Sequence, residues 1–154
     1  PEALTRLSDA IEQFEGKTPH PPERLPEIAE AISGRTLVMD ENAYGLEQAV
    51  MTFNGNDEAH VEQIIPSGVL GLTVGLDGVF RENVVQVPTF GALRIAAKGQ
   101  WTYDNTFELT LRWVEQGDEL RFRFIFDDDT FTLNLASFPI DGQGRVRVNG
   151  TVQE

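Results

Sequence analysis

Few side chains in this sequence are of the types that transfer protons or form covalent intermediates. The 154 residues include two histidines, His20 and His60, and no cysteine, whereas a zinc site takes several nitrogen or sulfur ligands. A serine nucleophile needs an activating base beside it, which motifs such as Ser-x-x-Lys or Gly-x-Ser-x-Gly supply. The serines match neither motif: they are Ser8, Ser33, Ser67 and Ser137. The sequence therefore predicts no catalytic residue, metal site or cofactor in this chain.

Two short polar segments are better interpreted as turns than as reactive sites. Tyr103-Asp104-Asn105 has the spacing of a Tyr-x-Asn element, but it lies between two strand-like segments and predicts a hairpin turn. Three consecutive carboxylates occur at Asp127, Asp128 and Asp129. Calcium loops of recognisable spacing place carboxylates at alternate positions, with a glycine and a distal glutamate, so a solvated turn is favoured over weak cation binding.

Five arginines fall on the polar side of the strand pattern in the last third of the chain. They are Arg112, Arg121, Arg123, Arg145 and Arg147. One interpretation is cross-strand pairing with Glu108, Glu115 and Glu119, each pair contributing less than about 1 kcal/mol. The other is a docking surface for an acidic neighbour. We favour the first and keep the second as a hypothesis.

Five aromatic residues on the apolar side of the same strands are candidates for lining a pocket. They are Trp101, Trp113, Phe122, Phe124 and Phe131. Small barrels either fill their interior with such side chains or hold one small ligand there. The pattern alone leaves both alternatives open, so a small apolar ligand is a possible partner.

Composition excludes several classes of partner. With 25 acidic and 12 basic residues, the formal net charge is −13, which repels nucleic acid phosphates and anionic lipid surfaces. No apolar run approaches the roughly 20 residues of a membrane-spanning helix. The first residues do not have the pattern of a signal peptide, and they lack an initiator methionine. We interpret the chain as a piece of a longer protein, and its compartment is left open.

The elements that would position these residues are mostly β-strands. Apolar residues recur at every second position between turn signals about ten residues apart, which is typical of antiparallel strands with one dry face. The predicted strands are Arg35–Asp40, Glu47–Asn54, Glu58–Ile65, Val69–Leu76, Val79–Val87, Leu93–Thr102, Thr106–Val114, Glu119–Phe126, Thr130–Phe138 and Arg145–Val152. Short links favour an up-and-down, lipocalin-like barrel of about eight to ten strands, with a two-sheet sandwich as the alternative.

The first part of the chain follows a different pattern. Apolar residues at helical spacing predict an amphipathic helix over Leu4–Phe14, and a proline-rich connector follows it. A second short helix is predicted over Glu27–Ile32, ending at Ser33-Gly34. The predicted organisation is therefore a helix and connector over residues 1–24 and a β-barrel domain over residues 25–154.

Three segments resemble a known family in the same order along the chain. Leu25–Thr36 and the following Glu41–Leu46, then Val74–Arg81, and finally Gly99–Phe107 are similar to the C-terminal accessory domain of bacterial serine hydrolases related to class C β-lactamases and penicillin-binding proteins. These segments are structural signatures of strands and turns, so no functional residue can be carried over. The resemblance implies that the catalytic Ser-x-x-Lys and Tyr-x-Asn elements belong to a separate upstream domain.

The sequence therefore leaves three hypotheses about function. The first is a noncatalytic accessory β-barrel that packs against, or modulates, the upstream catalytic domain of a serine hydrolase. The second is a lipocalin-like barrel that binds a small apolar ligand. Gly99-Gln100-Trp101 resembles the Gly-x-Trp motif of lipocalins, although lipocalins carry it on their first strand. The third is an interaction module that uses the arginine face.

Overall fold

The computed structural model describes residues 25–42, 45–65, 68–87, 91–115, 117–138 and 146–153. Helix α1 is Glu27–Ile32. The strands are β1 (Thr36–Met39), β2 (Gln48–Phe53), β3 (Glu58–Ile65), β4 (Gly68–Gly75), β5 (Arg81–Val87), β6 (Gly91–Tyr103), β7 (Thr106–Trp113), β8 (Glu119–Asp127), β9 (Thr130–Phe138) and β10 (Val146–Gln153). The helix predicted over Leu4–Phe14 lies outside the described residues.

The ten strands form one antiparallel meander that curls into a barrel. Sequential strands other than β4 and β5 are hydrogen-bonded neighbours, and β1 also pairs with β10, as in Leu37 opposite Val152. The predicted barrel is confirmed, and the two-sheet sandwich is wrong because β10 pairs with β1 and continues a single sheet. The observed strand ends lie within two residues of the predicted ones, since the turn residues limit each strand.

The barrel closes between β4 and β5, which are not paired strand to strand over their described residues. One parallel bridge joins Gly75 to Lys98 of β6. The side chain of Asn83 on β5 also bridges this seam. Its Oδ1 accepts from the Thr73 amide at 2.8 Å, and its Nδ2 donates to the Thr73 carbonyl at 2.9 Å. A side-chain amide thus takes the place of a neighbouring peptide group in the ladder.

The inner face of the barrel is apolar along every strand. The register of the strands places inward-facing residues beside one another. Phe107 lies opposite Phe124, and Phe124 lies opposite Leu133. All three side chains are buried. Because the period of a strand is two residues, a slip of one position would turn this whole stripe toward water. The core is therefore the barrel interior, with polar residues outside.

The two ends of the barrel are covered differently. Helix α1 lies at the end where the β2–β3, β4–β5, β6–β7 and β8–β9 turns meet; we call this the helix end. Ile32 of α1 is buried, and the Ser33 hydroxyl accepts from the Phe53 amide at 3.0 Å. The opposite end, called the far end, carries the β1–β2, β3–β4, β5–β6, β7–β8 and β9–β10 connections. Among the described residues, no helix is long and apolar enough to cross a bilayer.

Candidate functional site

The few reactive residue types are dispersed over the barrel. His60 lies on the outer face of β3, with its Nε2 atom 3.7 Å from Glu62 Oε1. Ser33 serves as a structural acceptor at the end of α1, as described above, and Ser137 lies within β9. His20, Ser8 and Ser67 lie outside the described residues. Within the described ranges, no three His, Asp or Glu side chains are grouped so that they could hold a metal ion.

The two polar segments interpreted as turns are turns in the structure. Asp104-Asn105 joins β6 to β7, and the Asn105 Nδ2 atom donates to the Phe126 carbonyl at 3.3 Å. Asp128 connects β8 to β9 with a positive φ of 51°, a conformation that Asp adopts more readily than bulky residues. These contacts give both segments a structural role.

All five aromatic residues proposed to line a pocket lie on the inner face, but they do not form one group. Trp101, Phe124 and Phe131 belong to a cluster of rings at the helix end, which we call the aromatic floor. Its members are Phe53, Trp101, Phe107, Phe124, Phe126 and Phe131. Phe122 and Trp113 lie nearer the far end, above this floor. The floor therefore divides the interior into two parts.

The aromatic floor spans the barrel from wall to wall. The Phe53 ring on β2 lies 5.6 Å from that of Trp101 on β6 and 5.5 Å from that of Phe107 on β7, centroid to centroid. Glycines at two inward positions give the rings their space: a Cβ atom on Gly99 would lie 2.5 Å from Phe107 Cζ, and one on Gly150 would meet the Phe131 ring. The helix end is thus filled by side chains rather than shaped as a cavity.

Sequence reasoning missed three members of the floor, Phe53, Phe107 and Phe126. Phe107 and Phe126 share the inward phase of the residues that were selected, so the two-residue period alone could have found them. Phe53 shares the inward phase of Ala49 and Met51 on β2, but it comes from a different hairpin. Its contact with Trp101 depends on barrel closure.

At the far end, some of the apolar side chains that contact the core are only half-buried. They pack on the core but keep part of their surface accessible, and we call them the rim cluster: Leu46, Leu70, Trp113, Leu120 and Leu135. Leu46 is positioned by Asn42, whose Nδ2 donates to the Leu46 carbonyl at 2.7 Å and whose Oδ1 accepts from the Leu46 amide at 3.2 Å. The rim cluster offers an apolar lining at the end that α1 does not cover.

The described part of the predicted arginine face lies on the outer wall, and three of its side chains are paired. Arg123 lies 3.6 Å from Glu108, while Arg112 and Arg121 both contact Glu119, at 3.4 Å and 3.5 Å. Glu115 pairs instead with Arg94, at 2.8 Å. Arg147 is exposed on β10, and Arg145 lies outside the described residues. Pairing on an exposed wall contributes little stability, and the docking hypothesis for this face stays a prediction.

An ion-pair network fastens the helix end of the seam between β4 and β5. The Arg81 guanidinium donates to Asp77 at 2.9 Å and to Glu58 at 2.8 Å. The hydrogen bond from Arg81 lowers the pKa of Asp77 below its ordinary value, and the hydrogen bonds that Arg81 donates to Asp77 and Glu58 raise the pKa of Arg81. Sequence reasoning missed this network. Its signal is a pair of polar residues, Arg81 and Asn83, at inward positions of β5.

Comparison with known proteins adds information about the fold. No family model matches this sequence, and no curated protein matches it. Among solved structures, a fatty-acid-binding protein from Manduca sexta matches with a TM-score of 0.55 and 13% identity, over 78% of this chain and 98% of that chain. Fatty-acid-binding protein 1 from Echinococcus granulosus matches with a TM-score of 0.54 and 9% identity, over 79% and 98%.

A secretory abundant heat soluble protein from Ramazzottius varieornatus also matches, with a TM-score of 0.52 and 13% identity over 79% of this chain and 93% of that chain. Identities this low establish a shared fold and no shared function. The chain is therefore a closed antiparallel β-barrel of the type found in fatty-acid-binding proteins. The resemblance to an accessory domain of serine hydrolases is not tested by these matches and stays a prediction.

Proposed function

We propose that this barrel binds a small apolar molecule in its far-end half, between the rim cluster and the aromatic floor. The observation that carries the proposal is the rim cluster itself. Five inward-facing apolar side chains, contributed by different parts of the meander, are half-buried at the end opposite α1. Apolar surface gathered at one concave end is a common mark of a ligand site.

Burial favours such a ligand energetically. Each Å² of apolar surface removed from water contributes roughly 25 cal/mol. At the helix end that surface is already covered, since Ile32 and the floor rings are buried or packed against one another. At the far end, the half-buried side chains of the rim cluster keep part of their apolar surface accessible to a bound molecule. The fold neighbours support the proposal, because two of them are named for binding fatty acids.

The binding site can be tested with two adjacent residues of β4 that face opposite ways. Leu70 is a rim residue, whereas Val69 points outward and is 63% exposed. The probe is N-phenyl-1-naphthylamine, an uncharged dye whose emission rises in apolar surroundings. We expect saturable binding at one site per chain, abolished by Leu70→Asp and retained by Val69→Asp. Failure of the unmodified chain to bind the dye, or equal loss in the two variants, would contradict the proposal.

The accessory-domain hypothesis concerns other surfaces and is compatible with this site. In that hypothesis an upstream catalytic domain of the same polypeptide contacts the barrel, and the arginine face on the outer wall is the candidate contact. It predicts that the chain alone hydrolyses neither nitrocefin nor p-nitrophenyl esters. A Ser-x-x-Lys domain upstream of Pro1 in the reading frame would support it, and turnover lost on substituting one serine of this chain would contradict it.

A further inference from the structure

We infer that the ligand of this barrel is uncharged and short, and that the far-end half excludes fatty-acid anions. The inference rests on the proposed function and narrows it to a class of ligand. It comes from three observations: the side chains that line this half, the location of the nearest cations, and the depth of the aromatic floor.

The described inner wall of the far-end half contains no charged side chain. Above the floor, the residues that face inward on the strands include Met39, Ala49, Gln63, Leu70, Asn83, Val85, Leu93, Ile95, Leu109, Leu111, Trp113, Leu120, Phe122, Leu135 and Val148. Gln63 and Asn83 are the polar members named here: Asn83 is bonded to Thr73, and Gln63 lies opposite Ala49 on β2 and Leu70 on β4. A neutral amide can pair with a hydroxyl or carbonyl group but cannot neutralise a carboxylate.

The nearest arginines on the inner side lie at the helix end. Arg81 points to the helix end, where it is held by Asp77 and Glu58. Arg35 precedes β1 at the helix end and lies 3.8 Å from Asp129 in the β8–β9 turn, on the other side of the aromatic floor. A carboxylate bound in the far-end half would therefore be buried without a counter-charge, which disfavours its binding.

Charged groups around the far end also disfavour the binding of an anion. The described β1–β2 and β7–β8 connections expose the carboxylates Asp40, Glu41, Glu47, Glu115 and Asp118. Arg94 contacts one of them, Glu115, at 2.8 Å, and is also paired with Glu82, at 3.1 Å. On a chain with a net charge of −13, this surface repels an approaching anion. A neutral molecule meets no such barrier.

The aromatic floor limits the length of the ligand. From the rim residue Leu120 to the floor residue Phe124, β8 covers four residue steps, about 13 Å along the strand, which is the length of roughly ten carbon atoms. Below this depth the rings meet across the barrel. A longer chain would leave its remaining carbons in water, so affinity should stop rising beyond about ten carbons.

The test uses N-phenyl-1-naphthylamine as the bound probe and 1-decanol and decanoate as competitors at pH 8. We expect 1-decanol to displace the probe and decanoate to be at least about tenfold weaker, a difference of about 1.4 kcal/mol. In a series from 1-octanol to 1-hexadecanol, affinity should level off near ten carbons. Equal displacement by the two decyl compounds overturns the inference and leaves the proposed function standing. Absence of probe binding overturns the proposed function itself.

A variant with a positive charge added inside the barrel tests whether the inner wall is what excludes anions. Gln63→Arg adds a cation to the inner wall, and we expect it to bind decanoate more tightly than the unmodified chain does. Gln100→Arg is the matched control, since Gln100 is exposed on the outer face of β6; it changes the net charge equally and should leave decanoate binding weak. Equal gains in both variants, or no gain in a Gln63→Arg variant that still binds 1-decanol, contradict the inference.

A measurement that needs no substitution covers the case in which Gln63→Arg fails to fold. Lowering the pH through the range in which a simple carboxyl group protonates, about 4 to 5, converts decanoate into a neutral acid. We expect its affinity to rise toward that of 1-decanol, whose own affinity serves as the control for pH effects on the protein. Decanoate binding that does not change relative to 1-decanol would overturn the inference.

Discussion

The helix end and the far end of this barrel use the same two-residue pattern for different purposes. At the helix end, aromatic side chains meet across the barrel, glycines such as Gly99 make room for them, and α1 covers the result. At the far end, the inward residues are mainly aliphatic, and the rim cluster keeps part of its surface accessible. The difference indicates that tight packing is concentrated at the helix end, whereas the rim cluster at the far end is where we propose that a ligand binds.

Truncation of a floor ring should have the largest effect. Phe107 is 0% exposed and contacts both Phe53 and Trp101. Phe107→Ala removes a buried ring and leaves a cavity, so we expect a loss of about 3 to 5 kcal/mol in the free energy of unfolding. Leu120→Ala in the rim cluster should lose about 1 kcal/mol, because Leu120 is already half-exposed to water. Urea unfolding measures both values, and equal losses would contradict the contrast between the ends.

A methyl group added at Gly99, which lies against the floor, should cause the next largest loss of stability. In Gly99→Ala the new Cβ would lie 2.5 Å from Phe107 Cζ, and overpacking of this kind costs about 1 to 3 kcal/mol. Gly71→Ala is the matched control on β4. Its Cβ would lie 3.4 Å from His60 Nε2 on the outer wall, and the stability should change by less than about 0.5 kcal/mol. Similar melting temperatures for the two variants would argue against a tightly filled floor.

Loss of the side-chain amide at the seam should cost somewhat less. Asn83→Ala leaves the Thr73 amide and carbonyl without the partners they have in the structure, and we expect a loss of about 1 to 2 kcal/mol. Hydrogen exchange at the Thr73 amide should accelerate more than exchange within β8 and β9. Asn134→Ala, on the outer face of β9, is the control and should be close to neutral. An unchanged exchange rate at Thr73 would show that Asn83 does not close the barrel.

The smallest expected effect is on how the stability of the chain depends on pH, through the ion pair at the helix end. The pKa of Asp77 is lowered in the folded chain, so its contribution is present above the ordinary value of 3.8 and is lost as the pH falls through the lowered folded pKa. Asp77→Asn should therefore lose less stability on acidification than the unmodified chain, by less than about 1 kcal/mol. Denaturant unfolding between pH 6 and pH 2 measures the difference, and parallel profiles for the two proteins would count against the Arg81–Asp77 pair.

Local pattern was sufficient to predict the fold but not its tertiary contacts. The strands follow from alternation and turn residues, both local properties, and the phase of Phe107, Leu109 and Leu111 fixes which face is buried. The extent of the aromatic floor was not predictable, because Phe53 reaches Trp101 only when the meander curls. The role of Asn83 was not predictable either, since its partner Thr73 becomes a neighbour only on closure.

The candidate site was predicted in composition but not in position. The five aromatic residues proposed for a pocket all face inward, yet three of them form the floor, and the accessible lining comes largely from leucines. Periodicity reports the face of a residue and contains no information about which end of the barrel is covered. That depends on α1, whose position against β2 is a tertiary contact.

The most direct test of the difference between the ends uses the two tryptophans of the chain, Trp113 in the rim cluster and Trp101 in the floor. Trp101→Phe and Trp113→Phe each leave one fluorophore, and both variants are titrated with 1-bromodecane, an uncharged heavy-atom quencher. The account predicts saturable quenching of Trp113 and little quenching of Trp101. Quenching of Trp101 alone, or equal quenching of both, would contradict it.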